Sequence, residues 1–175
     1  MLKVVVIGPE STGKSTLSEQ LATHYQTVWV PEYARQYLEE LPRPYEQRDL
    51  LTIAAGQLEQ EDKLAEQANN VLICDTDLHV INFWSEHKYG TTDPWIVEQV
   101  AARQYDLYLL TYIDIPWEED PLREYPDPAI REYFYDIYKK IVNASGTPWI
   151  EIKGSMEERR SLAIAAVDNL LKKQK

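Results

Sequence analysis

Apolar residues in this chain come in two rhythms. Short, mostly apolar runs at Leu2 to Ile7, Val71 to Cys74 and Leu107 to Ile113 have the length of strands buried on both faces. Thr27 to Val30, ended by Pro31, and Pro148 to Ile152 are shorter examples. Between these runs the apolar positions recur at helical spacing. Leu17, Leu21 and Ala22 follow Lys14, and Leu51, Ala54, Ala55 and Leu58 are expected on one face of a long helix over Glu46 to Ala68. The second half of that helix is charged enough to read as a solvated face. Glu32-Tyr33-Ala34-Arg35 opens a shorter helix, broken by Pro42 and Pro44. Further helices are expected from Leu78 to about His87, from Pro94 to about Arg103 and from Pro128 to Ala144. Ser155 and Glu158 form a capping box for a last helix, whose closing Lys172, Lys173 and Lys175 favour the helix dipole.

Strands alternating with helices predict an α/β fold, an open, mainly parallel five-stranded sheet flanked by helices, with its site at the carboxyl ends of the strands. The alternation lapses at about 114–127, where Pro116, Pro121 and Pro126 stand among mixed charges. That composition is expected of a mobile surface segment with the character of a lid. The 175 residues are of single-domain size and carry no internal repeat, so residues 1–175 are read as one domain.

The first strand runs into Gly8-Pro9-Glu10-Ser11-Thr12-Gly13-Lys14-Ser15-Thr16, which fits G-x-x-x-x-G-K-[ST], the Walker A pattern, in the strand-loop-helix context it requires. This is a phosphate-binding loop (P-loop). Glycines at 8 and 13 let successive N–H groups curl around phosphate oxygens, the following helix adds the positive end of its dipole, and Lys14 adds a mobile charge. The Ser15 hydroxyl is placed to coordinate Mg²⁺. Glu10, Ser11, Thr12 and Thr16 complete the nucleotide-binding stretch. The fold is thus of the P-loop NTPase type.

The third strand ends in Asp75-Thr76-Asp77, where an acid can hold Mg²⁺ opposite the loop serine. Asp75 is assigned to the metal, and Asp77 to capping the next helix or to substrate hydroxyls. A phosphoryl acceptor also needs a carboxylate to orient its hydroxyl and take the proton. Glu32 and Asp75 are the candidates, and Glu32, after an outer strand and further from the metal, is the better acceptor-side base. Arg123 in the lid segment is suited to the transferring phosphoryl group, with a salt bridge to Glu119 or Glu124 as the plainer alternative. Arg35 either holds substrate or pairs with Glu32 or Glu39.

Composition narrows the partners. At 44% hydrophobic and 27% charged the chain is ordinary globular material. A formal charge of −11 argues against a nucleic-acid surface, so cations for a nucleotide must be gathered locally. No basic leader or membrane-length apolar run is found, and the expectation is a cytoplasmic protein without a membrane partner. Cys74, the single cysteine, excludes a disulfide within the chain and reads as a buried thiol. Five tryptophans and twelve tyrosines supply flat surface, and Tyr33, Trp84 and Trp117 lie near the predicted site loops.

Glu32-Tyr33-x-Arg35, Asp75-Thr76-Asp77, Trp117-x-x-Asp120-x-x-Arg123 and Pro148-x-Ile150-Glu151-Ile152, added to the loop, resemble the ribosylnicotinamide kinase part of the NadR family over nearly the whole chain. Ala34 and Pro121 stand where that pattern has glycine, and the proline stiffens the lid. The resemblance implies transfer of the γ-phosphoryl group of ATP to the 5′-hydroxyl of a small nucleoside, nicotinamide riboside. Glu32, Tyr33, Arg35, Asp77, Trp117 and Asp120 would then contact the acceptor, and a cationic pyridinium ring would be drawn to an aromatic face.

Overall fold

The computed structural model of the chain describes residues 1–174; Lys175, expected at the end of the last helix, lies outside the described residues. The elements are β1 (Leu2–Ile7), α1 (Lys14–Tyr25), β2 (Trp29–Val30), α2 (Tyr33–Glu40), α3 (Gln47–Ala65), β3 (Val71–Asp75), α4 (Leu78–Tyr89), α5 (Pro94–Ala102), β4 (Leu107–Thr111), α6 (Pro128–Ala144), β5 (Trp149–Ile152) and α7 (Met156–Lys173). Five strands form one sheet in the order β2-β3-β1-β4-β5, and every neighbouring pair is parallel. All five carboxyl ends therefore lie along one rim.

β1 is central because both of its faces are apolar. Val5 and Ile7 join Leu72 and Cys74 of β3, Tyr108 and Leu110 of β4, and Phe134 and Tyr138 of α6 on one side. Leu2, Val4 and Val6 face Leu17 and Leu21 of α1 and Ala163 and Val167 of α7 on the other. This alternation is the two-residue period of a strand, and each such side chain contributes roughly 1.5–3 kcal/mol by leaving water. Cys74 is buried in the first cluster, and burial raises its thiol pKa, so it is a packing residue. A third cluster joins α3, α4 and α5 through Leu50, Ile53, Leu58, Leu78, Ile81 and Ile96.

The buried face of α3 differs from the one expected. Leu50, Ile53, Ala54, Gln57, Leu58 and Glu61 are buried, a stripe at the 3.6-residue period, while Leu51 and Ala55 are exposed. The polar members of the stripe have partners. Gln57 Oε1 accepts the Tyr33 N–H at 2.8 Å, and Glu61 accepts from Lys3 Nζ at 2.9 Å and from the Tyr105 hydroxyl at 2.9 Å. The charged half of the helix is thus partly interior. β2 is shorter than its apolar run because Thr27 turns aside, its hydroxyl donating to Val71 O at 2.7 Å. Among the described residues no helix is long and apolar enough to cross a membrane.

Candidate active site

The phosphate loop joins β1 to α1 at the centre of the rim. At Gly8 (φ 156°) a Cβ would lie 2.3 Å from Thr111 Oγ1 and 2.7 Å from Thr111 O, so the first glycine is demanded by the end of β4. Gly13 caps α1 in the left-handed region (φ 78°) without any side-chain cap, which leaves first-turn N–H groups facing the loop, the arrangement that attracts phosphate. Thr12 Oγ1 donates to Pro9 O at 2.7 Å and lies 2.7 Å from Thr111 Oγ1. Lys14 Nζ donates to Pro9 O at 2.9 Å, folded over the cradle it would leave for a phosphate.

Two arginines brace the loop from behind. Arg131 of α6 donates through Nη2 to Ser11 O at 3.1 Å. Arg159 of α7 donates to Thr12 O and Tyr112 O, each at 2.9 Å, and to Gly154 O at 3.0 Å, and it pairs with Asp114. Both are buried. Neither was singled out from the sequence. Their signal was position: each lies in the first turn of its helix, where the dipole disfavours a cation unless something else holds it.

Asp75, at the end of β3, is 1% exposed and accepts the Ser15 hydroxyl on Oδ2 at 2.5 Å. Burial, followed by the negative charge of Glu32, pushes its carboxyl up to about 7, against the pull of Lys14 and the Ser15 hydrogen bond. Its Oδ1 is buried without a hydrogen-bond partner. An orphaned carboxylate oxygen beside a loop serine fits a hard divalent cation, and Ser15 and Asp75 are the residues that would hold Mg²⁺. Among the described residues no three His, Cys, Asp or Glu side chains cluster as a metal cage, so such an ion would rest largely on nucleotide phosphates and water.

In front of the loop lies a cavity of about 460 Å³, within the range of small-molecule sites. Loop residues Gly8 and Glu10 to Thr16 line one part. The other part is an apolar chamber with Leu38, Ile53, Val80, Trp84 and Tyr138 in its walls and Glu32 and Arg35 at its α2 side. β2 is one of the two edge strands, so Glu32 approaches from the outer side of the sheet.

The expected lid is a segment without helix or strand, but it is tethered at several points. Glu118 N–H donates to Ser11 Oγ at 2.9 Å, and the N–H groups of Glu124 and Tyr125 donate to Glu10 Oε2 at 3.2 and 3.4 Å. Burial raises the Glu10 carboxyl above its ordinary range, the two N–H donors and Lys14 working the other way. Arg35 Nη2 reaches Asp120 at 2.5 Å, Tyr125 stacks on Trp84 with ring centroids 5.6 Å apart, and Tyr45 OH donates to Glu124 at 3.3 Å.

Not every candidate reaches the cavity. Lys14, Ser15, Glu32, Arg35 and Arg123 line it, and Asp75 abuts it through Ser15. Arg35 pairs with Asp120 and Glu39, not with Glu32. Arg123 has no ion pair with Glu119 or Glu124; it donates to Glu118 O at 2.5 Å, an exchangeable partner. Asp77 is committed elsewhere: its carboxylate caps α4 through His79 N–H at 2.9 Å and accepts the Tyr108 hydroxyl at 2.7 Å. Tyr33 packs its ring on Gly56 of α3, against the third cluster and away from the cavity lining. Trp117 lies under Arg131, whose guanidinium is 5.6 Å from its ring centroid, and likewise stays behind the lining. Tyr45 is a wall residue that sequence alone did not single out.

Comparison with known proteins points to the same fold. The trifunctional NAD biosynthesis/regulator protein NadR of Salmonella typhimurium is 27% identical over 165 residues, covering 91% of this chain and 40% of that protein. The chain thus spans well under half the length of this relative. A crystal structure of NadR in complex with NR superposes with a TM-score of 0.81 at 21% identity, covering 96% of this chain and 51% of that one. A second, of NadR with NAD and AMP-PNP, gives 0.78 at 21%, covering 96% and 49%. At that identity the structural likeness is one of fold. Residues 3–159 match the model of the family described as an AAA domain, and with that match over most of its length the chain belongs to that family and is homologous to NadR over the part they share.

Proposed function

We propose that this chain is a nucleoside kinase that transfers the γ-phosphoryl group of ATP to the 5′-hydroxyl of nicotinamide riboside, giving nicotinamide mononucleotide. One observation carries the reading: a phosphate loop, backed by a buried carboxylate with one oxygen unpartnered, and an apolar chamber with a carboxylate at its side open into a single cavity. A hydrolase acting on ATP alone has no use for the chamber. The relatives add support, since structures of NadR hold NR in one case and NAD with AMP-PNP in the other.

Roles follow from position. The first-turn N–H groups of α1 and Lys14 neutralise the donor phosphates, Lys14 exchanging Pro9 O for a phosphate oxygen. Mg²⁺, held by Ser15 with Asp75, would supply further charge neutralisation on the phosphates. Arg123 exchanges Glu118 O for the transferring group as charge spreads over its oxygens. Glu32 accepts a hydrogen bond from the acceptor hydroxyl and takes its proton as the new P–O bond forms. The apolar walls and the lid exclude water, which would otherwise compete for the phosphoryl group.

The test is ADP release measured with and without nicotinamide riboside, with mononucleotide identified as product. Acceptor-dependent turnover is expected. In Glu32→Gln, kcat with acceptor should fall by about a hundredfold to ten-thousandfold, the usual reach of general-base assistance, with ATP affinity nearly unchanged. Release of ADP that is indifferent to the riboside would overturn the acceptor assignment, and a collapse of ATP affinity in Glu32→Gln would move that residue to the donor side.

A further inference from the structure

Glu10 is out of place for a residue that binds nucleotide. A carboxylate in a loop whose N–H groups and lysine gather phosphates repels the ligand it is supposed to hold. Its contacts point elsewhere. Oε2 accepts the N–H groups of Glu124 and Tyr125, at 3.2 and 3.4 Å, from a segment more than a hundred residues away in sequence. The next loop residue makes a parallel contact, Ser11 Oγ accepting Glu118 N–H at 2.9 Å. Between them these two side chains take hold of both ends of the stretch that carries Asp120 and Arg123.

We propose that Glu10 is a positioning residue, the latch by which the phosphate loop holds the lid down over the acceptor chamber. It acts through the lid backbone and not on the nucleotide. The device is sited where it matters: Tyr125, one of the two residues gripped, stacks on Trp84 in the chamber wall, and Arg123 immediately precedes them. A loop that binds the donor and also grips the lid ties donor placement to exclusion of water from the acceptor side. Because the grip is on N–H groups, the two hydrogen bonds do not depend on which side chains stand at 124 and 125, while they do depend on the acceptor at position 10.

This inference rests on the reading that the cavity transfers a phosphoryl group, and two measurements separate the two claims. The first is amide hydrogen exchange in Glu10→Ala and Glu10→Gln. Exchange at the Glu118 amide, whose own partner is Ser11, should quicken by about fivefold or more in Glu10→Ala, because losing one anchor lifts the lid as a unit. Glu10→Gln keeps an oxygen that can accept the N–H groups and should restore most of the protection. Quickening confined to the Glu124 and Tyr125 amides, with Glu118 unchanged, overturns the latch.

The second measurement is the ratio of phosphorylated acceptor to ADP. It should fall in Glu10→Ala, as water reaches the phosphoryl group, and recover in Glu10→Gln. A raised KM for the acceptor with an unchanged ratio would mean that Glu10 touches the acceptor directly, and it too overturns the latch. If the unmodified protein shows no acceptor-dependent turnover, the kinase reading fails and the exchange measurement still decides the latch.

Discussion

Gly56 offers a test of how α2 is held over the site. It lies inside α3, where alanine ordinarily stabilises a helix over glycine by about 1 kcal/mol. Here a Cβ would fall 2.2, 2.4 and 2.7 Å from Cε1, Cζ and Cδ1 of Tyr33. Carbon atoms in contact sit about 3.5–4.0 Å apart, so the overlap exceeds an ångström and the ring must leave its seat. Forcing an extra carbon into a packed contact costs roughly 1–3 kcal/mol. Set against the propensity gain, Gly56→Ala should destabilise by about 1 kcal/mol. In a Tyr33→Ala background the obstacle is gone and only the propensity remains, so the same substitution should stabilise by about 1 kcal/mol. The sign reverses. Urea unfolding of the four proteins, followed by helical circular dichroism, measures the cycle. Since α2 also carries Arg35 and follows Glu32, displacing Tyr33 should raise KM for the acceptor more than for ATP. Stabilisation of similar size in both backgrounds would refute the seat of Tyr33 on α3 and return that ring to the list of acceptor contacts.

Lys14→Ala should lower phosphoryl transfer by about a hundredfold to a thousandfold with the unfolding transition unchanged, since the ammonium serves phosphates and not the core; this is checked by turnover and thermal melt on one preparation. Asp75→Asn should raise the Mg²⁺ concentration for half-maximal rate by about tenfold or more, read from a metal titration at saturating ATP. Asp49 receives two hydrogen bonds from Arg43, at 2.7 and 2.9 Å, which hold its carboxyl below the usual range despite burial. With the folded value below the unfolded one, the stabilisation is present above about pH 4 and is lost as pH falls through the folded value. Asp49→Asn should therefore melt lower than the unmodified protein at pH 7, with the gap narrowing on acidification.

The fold was legible because its signals are local and redundant. An apolar run flanked by helical spacing means a buried parallel strand almost wherever it occurs, and the motif at Gly8 to Thr16 reports strand, turn and helix at once. The layout of the candidate site was legible where chain position fixes placement, as at Lys14 and Ser15, which open the helix after β1, and at Asp75, which ends the neighbouring β3. What was not legible depended on side-chain partners distant in sequence. Nothing near Tyr33 announces that Gly56 will receive its ring, and nothing near Arg35 announces Asp120. Asp77 shows the intermediate case: capping and substrate contact were both open until the hydroxyl of Tyr108, on another strand, filled its second oxygen. Leu51 was misplaced for a different reason, since a helix flanked by two packing partners has an apolar stripe whose edge one residue's spacing cannot settle.

The grip of Arg159 on Thr12, Tyr112 and Gly154 bears on how the protein comes into being. A phosphate loop is written early in the chain, but here its backbone is fastened by a guanidinium from the last helix. A ribosome that has released only the first four strands has made the whole phosphate loop and neither of the arginines that brace it. The emerging chain should be blind to nucleotide until α7 leaves the exit tunnel and docks, and a message cut short before Arg159 yields a product that nucleotide does not rescue from proteolysis.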